Sequence, residues 1–286
     1  MFKFNFSPTC LNDQNAGYNL ESNKNVKTWT DCKKLMPQKH NLYTNILSNV
    51  KFKTIPVNDL EIKYVCSTEI LQFLQKAEHP YDISVLKAEE NHSDLLPAVY
   101  EGGIKIWECT YDVLKYFDLN KIEFENKSVL DLGCGSGILG IYTLAKGSTC
   151  CFQDYNMDVL EYITIPNVLL NSKDYLNKCM FYFGDWMSFS NVLECSNDIK
   201  DNKFDVIITS ETIYNTENYA KLHKVFERLL KKNGSIYLAA KSFYFGVGGS
   251  ISSFEEFMDK NEIFRYSCCW KCVEGVKREI LKIEFI

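Results

Sequence analysis

A short glycine-rich segment holds the residues whose types and spacing are best suited to chemistry. The run Val129-Leu130-Asp131-Leu132 is apolar except for Asp131, near its end. Gly133, Gly135 and Gly137 follow at every second position, and a helix is predicted to begin after them. Glycines let the chain turn tightly and let a ligand touch the backbone. Dinucleotide enzymes use a G-x-G-x-x-G loop, which presents a helix N-terminus to a pyrophosphate. The D-x-G-x-G-x-G spacing instead predicts a site for S-adenosylmethionine (SAM), which has no phosphate; a tight turn in another Rossmann-like protein is the alternative.

Two more acidic residues end apolar runs further along the chain. Asp154 lies about twenty residues after the glycines, where a carboxylate at a strand end accepts ribose hydroxyls. Alternatively, Asp154 would cap the following helix, although Asn156 could fill that role instead. In Phe183-Gly184-Asp185-Trp186, we expect Asp185 to accept the adenine amino group and Trp186 to cover the base. Three such strand ends together favour SAM over a nicotinamide cofactor.

The elements that must position these residues alternate from about residue 100 onward. Apolar runs of strand length are Ser128–Leu132, Thr149–Gln153, Cys179–Phe183, Phe204–Thr209, Ser235–Ala240, Ile263–Trp270 and Lys277–Phe285. Amphipathic helices are predicted at Glu108–Phe117, Ile138–Lys146, Met157–Asn171, Glu217–Lys231 and Ser252–Lys260. This alternation predicts a parallel sheet with helices on both faces, and the short turn before the last strand predicts an antiparallel pair. The expected fold is a seven-stranded, Rossmann-like α/β domain.

The beginning of the chain has a different character. Residues 1–60 are rich in Asn, Lys, Ser and Thr and show no sustained periodicity, so we expect a poorly ordered or adaptor segment. A methyltransferase domain is expected over residues 61–286, with a short helix at Thr68–Glu78. Because the first segment shows neither a core pattern nor a donor motif, it is predicted to be dispensable for donor binding.

The charge and composition of the chain indicate which classes of binding partner to expect. The net charge of −5 argues against a general nucleic-acid binder but suits a basic protein substrate. The sequence contains neither an apolar run of membrane-spanning length nor a signal-peptide pattern, so no membrane partner is expected. The twelve cysteines are then expected to be free thiols in a reducing compartment. The cluster Cys268-Cys269-Trp270-Lys271-Cys272 lacks a second pair of ligands, and no metal is expected there.

Four blocks of sequence go beyond the general class. They are His92–Thr110 (HSDLLPAVYEGGIKIWECT), Phe152–Asn156 (FQDYN), Thr209–Asn215 (TSETIYN) and Ala239–Gly249 (AAKSFYFGVGG). Together they resemble the protein-histidine N-methyltransferase family over roughly residues 60–286. The resemblance implies a class I SAM-dependent methyltransferase fold. It also implies methylation of the τ nitrogen of a histidine in a large-subunit ribosomal protein of the uL3 type.

The resemblance and the glycine motif together supply a set of candidate site residues. Donor contacts are expected from Ile106, Trp107, Glu108, Cys109, Thr110, Asp131, Gly133, Gly135, Gly137, Gln153, Asp154, Tyr155, Asn156, Gly184, Asp185, Trp186 and Ser210. Glu211 or Tyr214 is expected to orient the acceptor imidazole, with Phe243, Tyr244 and Phe245 beside it. Structural alternatives remain open: Trp107 as a core anchor, Glu211 as a cap, and Tyr214 as a packing phenol.

Two other functions are compatible with these motifs. The E-x-x-Y element alone would also suit a protein-lysine methyltransferase, and an assembly chaperone would keep SAM only as a structural ligand. For the enzyme we expect a monomer in the cytoplasm and nucleus, including the nucleolus, without direct contact to nucleic acid.

Overall fold

The alternating apolar segments form one eight-stranded sheet with helices on both faces. The computed structural model describes residues 29–77, 82–196 and 203–286. The strands of these residues are β1 (Lys33–Lys34), β2 (Phe52–Val57), β3 (Leu60–Val65), β4 (Ser128–Leu132), β5 (Thr149–Asp154), β6 (Cys179–Phe183), β7 (Phe204–Ser210), β8 (Leu230–Lys241), β9 (Phe264–Cys272) and β10 (Arg278–Phe285). The helices are α1 (His40–Asn49), α2 (Ser67–Lys76), α3 (Ser84–Glu90), α4 (Glu108–Leu119), α5 (Ile138–Ala145), α6 (Met157–Val159), α7 (Ile165–Asn171), α8 (Trp186–Glu194), α9 (Tyr219–Leu229) and α10 (Ile251–Asn261).

The order of the strands indicates where a ligand site is expected. The sheet runs β1-β6-β5-β4-β7-β8-β10-β9, and β6, β5, β4, β7 and β8 are parallel. From β4 the chain builds outward through β5 and β6, and then returns to β7 on the other side of β4. Ligands of open parallel sheets bind at such a reversal, outside the carboxyl ends of the strands. This architecture confirms the predicted Rossmann-like class.

Most predicted elements of the domain lie within a few residues of the observed ones. Ser128–Leu132 and Cys179–Phe183 have the same bounds in both, and β9 and β10 form the predicted antiparallel pair. β10 also pairs antiparallel with β8, which was not predicted. The helix predicted at Met157–Asn171 is continuous but contains a π-helical turn at Leu160–Thr164. The prediction missed α8, which begins directly after the strand end that was interpreted as a ligand site.

The N-terminal segment requires a correction for residues 29–60. β1 pairs antiparallel with β6 and adds an eighth strand, so the seven-stranded expectation is one strand short. β2 and β3 form a hairpin, which a boundary at residue 60 would divide. Asn167 on α7 accepts a hydrogen bond from Val65 N at 2.7 Å, tying this hairpin to the domain. Residues 1–28 lie outside the described residues, so the expectation for them stays a prediction.

Apolar side chains fill both faces of the sheet. One cluster packs α8, α9 and α10 against it, and a second packs α4, α5 and α7 on the other face. A smaller cluster joins α1, α2 and α3 to α6. No helix within the described residues is long and apolar enough to span a bilayer.

Helix α5 packs very closely against β5, beside the glycine loop. A Cβ added at Gly140 would lie 2.3 Å from the Phe152 ring and 2.7 Å from the Cys150 sulfur. The absence of a side chain at Gly140 therefore sets the distance between this helix and the sheet.

We predict that Gly140→Ala destabilises the protein. Alanine favours a helix by about 1 kcal/mol over glycine, but overpacking a core costs about 1–3 kcal/mol, and this contact is severe. Thermal unfolding should show a lower melting temperature. Leu119→Ala, at an exposed helix end, is the control and should change stability by no more than about 0.5 kcal/mol. A variant as stable as the wild type would contradict the close approach.

Candidate active site

A cleft opens at the carboxyl ends of the central strands, where the chain reverses. Its empty volume is about 850 Å³, part of which is open to solvent. The predicted site residues that line it are Trp107, Thr110, Asp131, Gly133, Gly135, Asp154, Tyr155, Gly184, Asp185, Trp186, Ser210, Glu211 and Tyr214. The predicted donor and acceptor residues are therefore brought together at one end of the sheet.

Two buried carboxylates hold the glycine loop. Asp131 accepts a hydrogen bond from Gly140 N at 2.8 Å, and Asp154 accepts one from Gly135 N at 2.9 Å. Burial raises the pKa of Asp131 to about 8 and that of Asp154 to about 6. These carboxylates thus shape the loop as well as facing the cleft.

The loop also requires glycine for steric reasons. Gly133 and Gly135 have φ values of 67° and 51°, in the left-handed region. A Cβ at Gly135 would lie 2.9 Å from the carbonyl oxygen of Gly103, and one at Gly133 would lie 2.8 Å from Thr212. The segment around Gly103 therefore crosses directly over the loop.

Gln153 connects the strand ends without lining the cleft. Its amide nitrogen donates to Gly184 O at 2.8 Å, and its amide oxygen accepts from Trp186 Nε1 at 2.9 Å. The same oxygen lies 3.4 Å from Gly133 N. Gln153 therefore positions three cleft-lining residues, which is a different role from the direct contact that was expected.

Five other predicted donor residues also lie outside the cleft lining. Gly137 packs behind the loop against Thr164 and Phe152. Asn156 accepts a hydrogen bond from Glu101 N at 3.0 Å and so holds the segment that crosses the loop. The remaining three are Ile106, which packs on the core, the half-exposed Glu108, and Cys109, which is fully buried.

The end of β6 is occupied by structural contacts. Asp185 caps α8 by accepting from Met187 N at 3.0 Å, and its other oxygen pairs with Lys221. Both Asp185 oxygens therefore already have protein partners, and the adenine contact expected from Asp185 stays a prediction. Trp186 lines the cleft as expected.

On the acceptor side, Glu211 is buried and has a strained backbone. Its φ of 60° is unusual for a residue with a side chain, and such strain concentrates at functional sites. Oε2 accepts a hydrogen bond from the Tyr244 hydroxyl at 2.6 Å. Oε1 has no hydrogen-bond partner among the described residues, and the Lys241 ammonium lies 3.7 Å from it. Glu211 lines the cleft, and its Oε1 has the capacity to accept a further hydrogen bond.

Tyr214 forms a second pair at the cleft wall. Its hydroxyl donates to Glu101 Oε2, while Glu101 Oε1 accepts from Ala98 N at 2.7 Å. Burial and the neighbouring Glu101 raise the pKa of Tyr214 well above its usual value, so the hydroxyl keeps its proton at neutral pH. Of the aromatic residues expected beside the acceptor, Tyr214 lines the cleft, Tyr244 lies behind Glu211, and Phe243 and Phe245 are exposed.

Several cleft residues were not predicted as site residues. They are Trp29, Glu101, Gly102, Gly103, Lys105, Cys134, Ser136, Ile138, Leu139, Thr212 and Asn218. Glu101, Gly102, Gly103 and Lys105 lie inside the first of the four sequence blocks, which carried a signal for them. Trp29 lies in a segment without periodicity, and no local pattern indicates that it reaches the cleft.

The described residues contain no group of three or more His, Cys, Asp or Glu side chains arranged to hold a metal ion. The cysteines of these residues are free thiols. Cys268 and Cys272 lie on β9, where their sulfurs contact Glu279 and Arg278 respectively.

Comparison with known proteins gives the family. Residues 94–258 match the family described as lysine methyltransferase. A histidine protein methyltransferase 1 homolog of Bos taurus is 38% identical and matches 84% of this chain and 69% of its own length. The corresponding homolog of Mus musculus is 37% identical, with 93% and 77% covered. A TehB-like SAM-dependent methyltransferase structure from Corynebacterium glutamicum is 13% identical with a TM-score of 0.45, covering 77% of this chain and all of that one. The length and identity of the two sequence matches show that the chain belongs to the histidine protein methyltransferase family and is a SAM-dependent methyltransferase.

Proposed function

We propose that this enzyme methylates the τ nitrogen of a histidine side chain in a protein. The observation that carries the proposal is the buried carboxylate of Glu211, a residue that lines the cleft. Its Oε1 has no hydrogen-bond partner among the described residues and lies 3.7 Å from the Lys241 ammonium. A buried acceptor that makes no hydrogen bond is costly, and an N–H group of the substrate would supply the hydrogen bond that the Lys241 ammonium, at 3.7 Å, does not.

The donor half of the cleft fits SAM. Glycines with left-handed φ let a ligand approach the backbone, and Asp154 presents a carboxylate at the end of β5 for the ribose hydroxyls. We assign Gly133, Gly135, Asp154 and Trp186 to donor binding, with Gln153 and Asn156 as positioning residues. When bound, SAM supplies a methyl group on a positively charged sulfur.

The acceptor half suits a neutral imidazole. Free histidine has a pKa near 6.5, so a strong base is not needed to produce the nucleophile at cellular pH. One imidazole nitrogen carries the proton and the other has the lone pair. Glu211 Oε1 accepting from the protonated π nitrogen leaves the τ lone pair free to bond with the methyl carbon.

The same hydrogen bond stabilises the charge that develops. The bond from τ nitrogen to methyl carbon forms as the carbon–sulfur bond breaks, and the bonding electrons stay on sulfur. The imidazole becomes positive and then releases its π proton to water, which restores the neutral side chain. An anionic acceptor at that proton interacts more strongly as the charge grows, which lowers the barrier.

Lysine is the competing acceptor, because the matched family is described by lysine methylation. A lysine has a reference pKa near 10.4, so its ammonium must first lose a proton. The Tyr214 hydroxyl already donates to Glu101, and its high pKa makes it a poor base. This arrangement favours an acceptor that is already neutral.

We further propose a uL3-type ribosomal protein of the large subunit as the substrate, with methylation in the cytoplasm and nucleus. The support is the resemblance of the four sequence blocks and the net charge of −5, which favours encounter with a basic protein. Tandem mass spectrometry of ribosomal proteins incubated with the enzyme and labelled SAM tests this. Label on another protein, with none on a uL3-type histidine, would reject the substrate but not the chemistry.

For the donor site, we predict that Asp154→Asn raises the Kd for SAM. Loss of a charged acceptor should cost about 1.5–3 kcal/mol, or roughly ten- to 150-fold in affinity. Asp205→Asn is a matched control, because Asp205 bonds Ser128 at the opposite end of the sheet. Calorimetry on both variants gives the comparison, and equal affinities would remove Asp154 from the ribose site.

For the acceptor, we predict that Glu211→Gln keeps SAM binding but lowers turnover by about tenfold or more, since a neutral acceptor replaces a charged one. The product of the wild type should be τ-methylhistidine, measured by amino-acid analysis after transfer from tritiated SAM. Tyr214→Phe should lower turnover less, because the hydroxyl already donates to Glu101. Radioactivity found only in methyllysine would reject histidine as the methylated residue. It would not affect the assignment of the SAM-binding residues.

For pH, we predict that turnover at saturating SAM falls as pH drops through about 6.5, because the protonated imidazole loses its lone pair. Donor affinity should fall separately near pH 6, because protonation of Asp154, with its pKa of about 6, removes the charge that accepts the ribose hydroxyls. Measuring SAM affinity and saturated turnover over the same pH series separates the two. Turnover that keeps rising well above neutral pH would indicate an amine acceptor.

A further inference from the structure

The segment before β1 is fixed to the two strand ends expected to hold the adenosine. Asp185 N donates to Thr30 O at 2.8 Å, and Cys32 N donates to Ser188 Oγ at 2.9 Å. Thr30 N donates to the Tyr155 hydroxyl at 3.1 Å. The segment therefore bridges from the end of β5, where Tyr155 follows Asp154, to the end of β6.

The backbone of this N-terminal segment lies very close to Gly184, directly after β6. A Cβ at Gly184 would lie 2.7 Å from both Asp31 O and Cys32 Cα, and Gly184 has a φ of 116°. Glycine at this position lets the N-terminal backbone lie directly on the end of β6.

This attachment places the Trp29 ring in the cleft wall. The Lys221 ammonium lies 3.8 Å from the ring centroid, and the Trp29 and Tyr155 rings are nearly perpendicular, with centroids 5.4 Å apart. Lys221 is itself paired with Asp185, so the cation over the ring is held in position. Lys221 does not line the cleft, whereas Trp29 and Trp186 both do.

We propose that Trp29 is a donor-binding residue whose ring packs against the adenine of SAM. The inference rests on the placement of SAM in this cleft under the proposed function. An aromatic ring at the expected adenosine end offers an apolar, polarisable face to a flat base, and the Lys221 contact and Tyr155 keep that face oriented. Part of the segment expected to be dispensable would then belong to the donor site.

The test measures binding of S-adenosylhomocysteine, which has the same adenosine but transfers no methyl group. Calorimetry on Trp29→Ala should show a Kd raised by about tenfold, in the range that stacking on an aromatic ring contributes. Trp29→Phe keeps an aromatic face and should stay within about threefold. Phe52→Ala is a matched control, since Phe52 is a half-exposed ring near a lysine on the β2–β3 hairpin, and its Kd should be unchanged.

A second measurement does not require the alanine variant to fold. The chain has four tryptophans, so subtracting the fluorescence of Trp29→Phe from that of the wild type isolates Trp29. S-adenosylhomocysteine should change this difference signal with the same Kd as calorimetry gives. An unchanged difference signal, or a folded Trp29→Ala with wild-type affinity, would overturn the proposal. A wild-type protein that does not bind the ligand at all would instead reject the proposed donor site.

Discussion

The shape of the donor cleft depends on hydrogen bonds from backbone N–H groups to two buried carboxylates. Asp131 reaches forward to the first turn of α5, and Asp154 reaches across from β5 to the glycine loop between β4 and α5. Burial makes a charge on either side chain costly, which raises both pKa values, and the N–H donors offset part of that cost. The loop and the strand ends therefore form one unit.

The residues around this unit divide into those that face the cleft and those that hold them. Gln153 and Asn156 belong to the second group, because their amides connect segments distant in sequence and neither lines the cleft. Fully hydrogen-bonded buried networks of this kind make an arrangement rigid and specific. The segment F-Q-D-Y-N thus contains residues that line the cleft and residues that hold them side by side.

The sequence predicted the central fold well because its signals are local. Each parallel strand is a short apolar run, and each acidic or glycine residue at a strand end follows directly from such a run. Ser128–Leu132 illustrates this, since the strand and its function as the start of the glycine loop are both visible in the sequence.

Features that depend on partners distant in sequence were missed. β1 is two lysines, which form a strand only because β6 offers an open edge, and Trp29 reaches the cleft only because Gly184 lets the chain approach. Glu101 lay inside a recognised block, but its contact with Tyr214 spans more than a hundred residues. Pairings of this kind leave no periodic trace, so composition alone made the first sixty residues look separate.

The left-handed backbone of Glu211 lowers the free energy of unfolding of the protein. A side-chain-bearing residue in this conformation costs roughly 1–2 kcal/mol, taken from a net stability of only about 5–15 kcal/mol. The surrounding fold supplies that energy once, when the chain folds, because β7, β8 and Tyr244 hold the residue in place. The carboxylate is then preorganised, and a substrate that enters does not have to reorient it. Part of the protein's thermal stability is in this way spent on holding one carboxylate in a fixed position at the cleft wall.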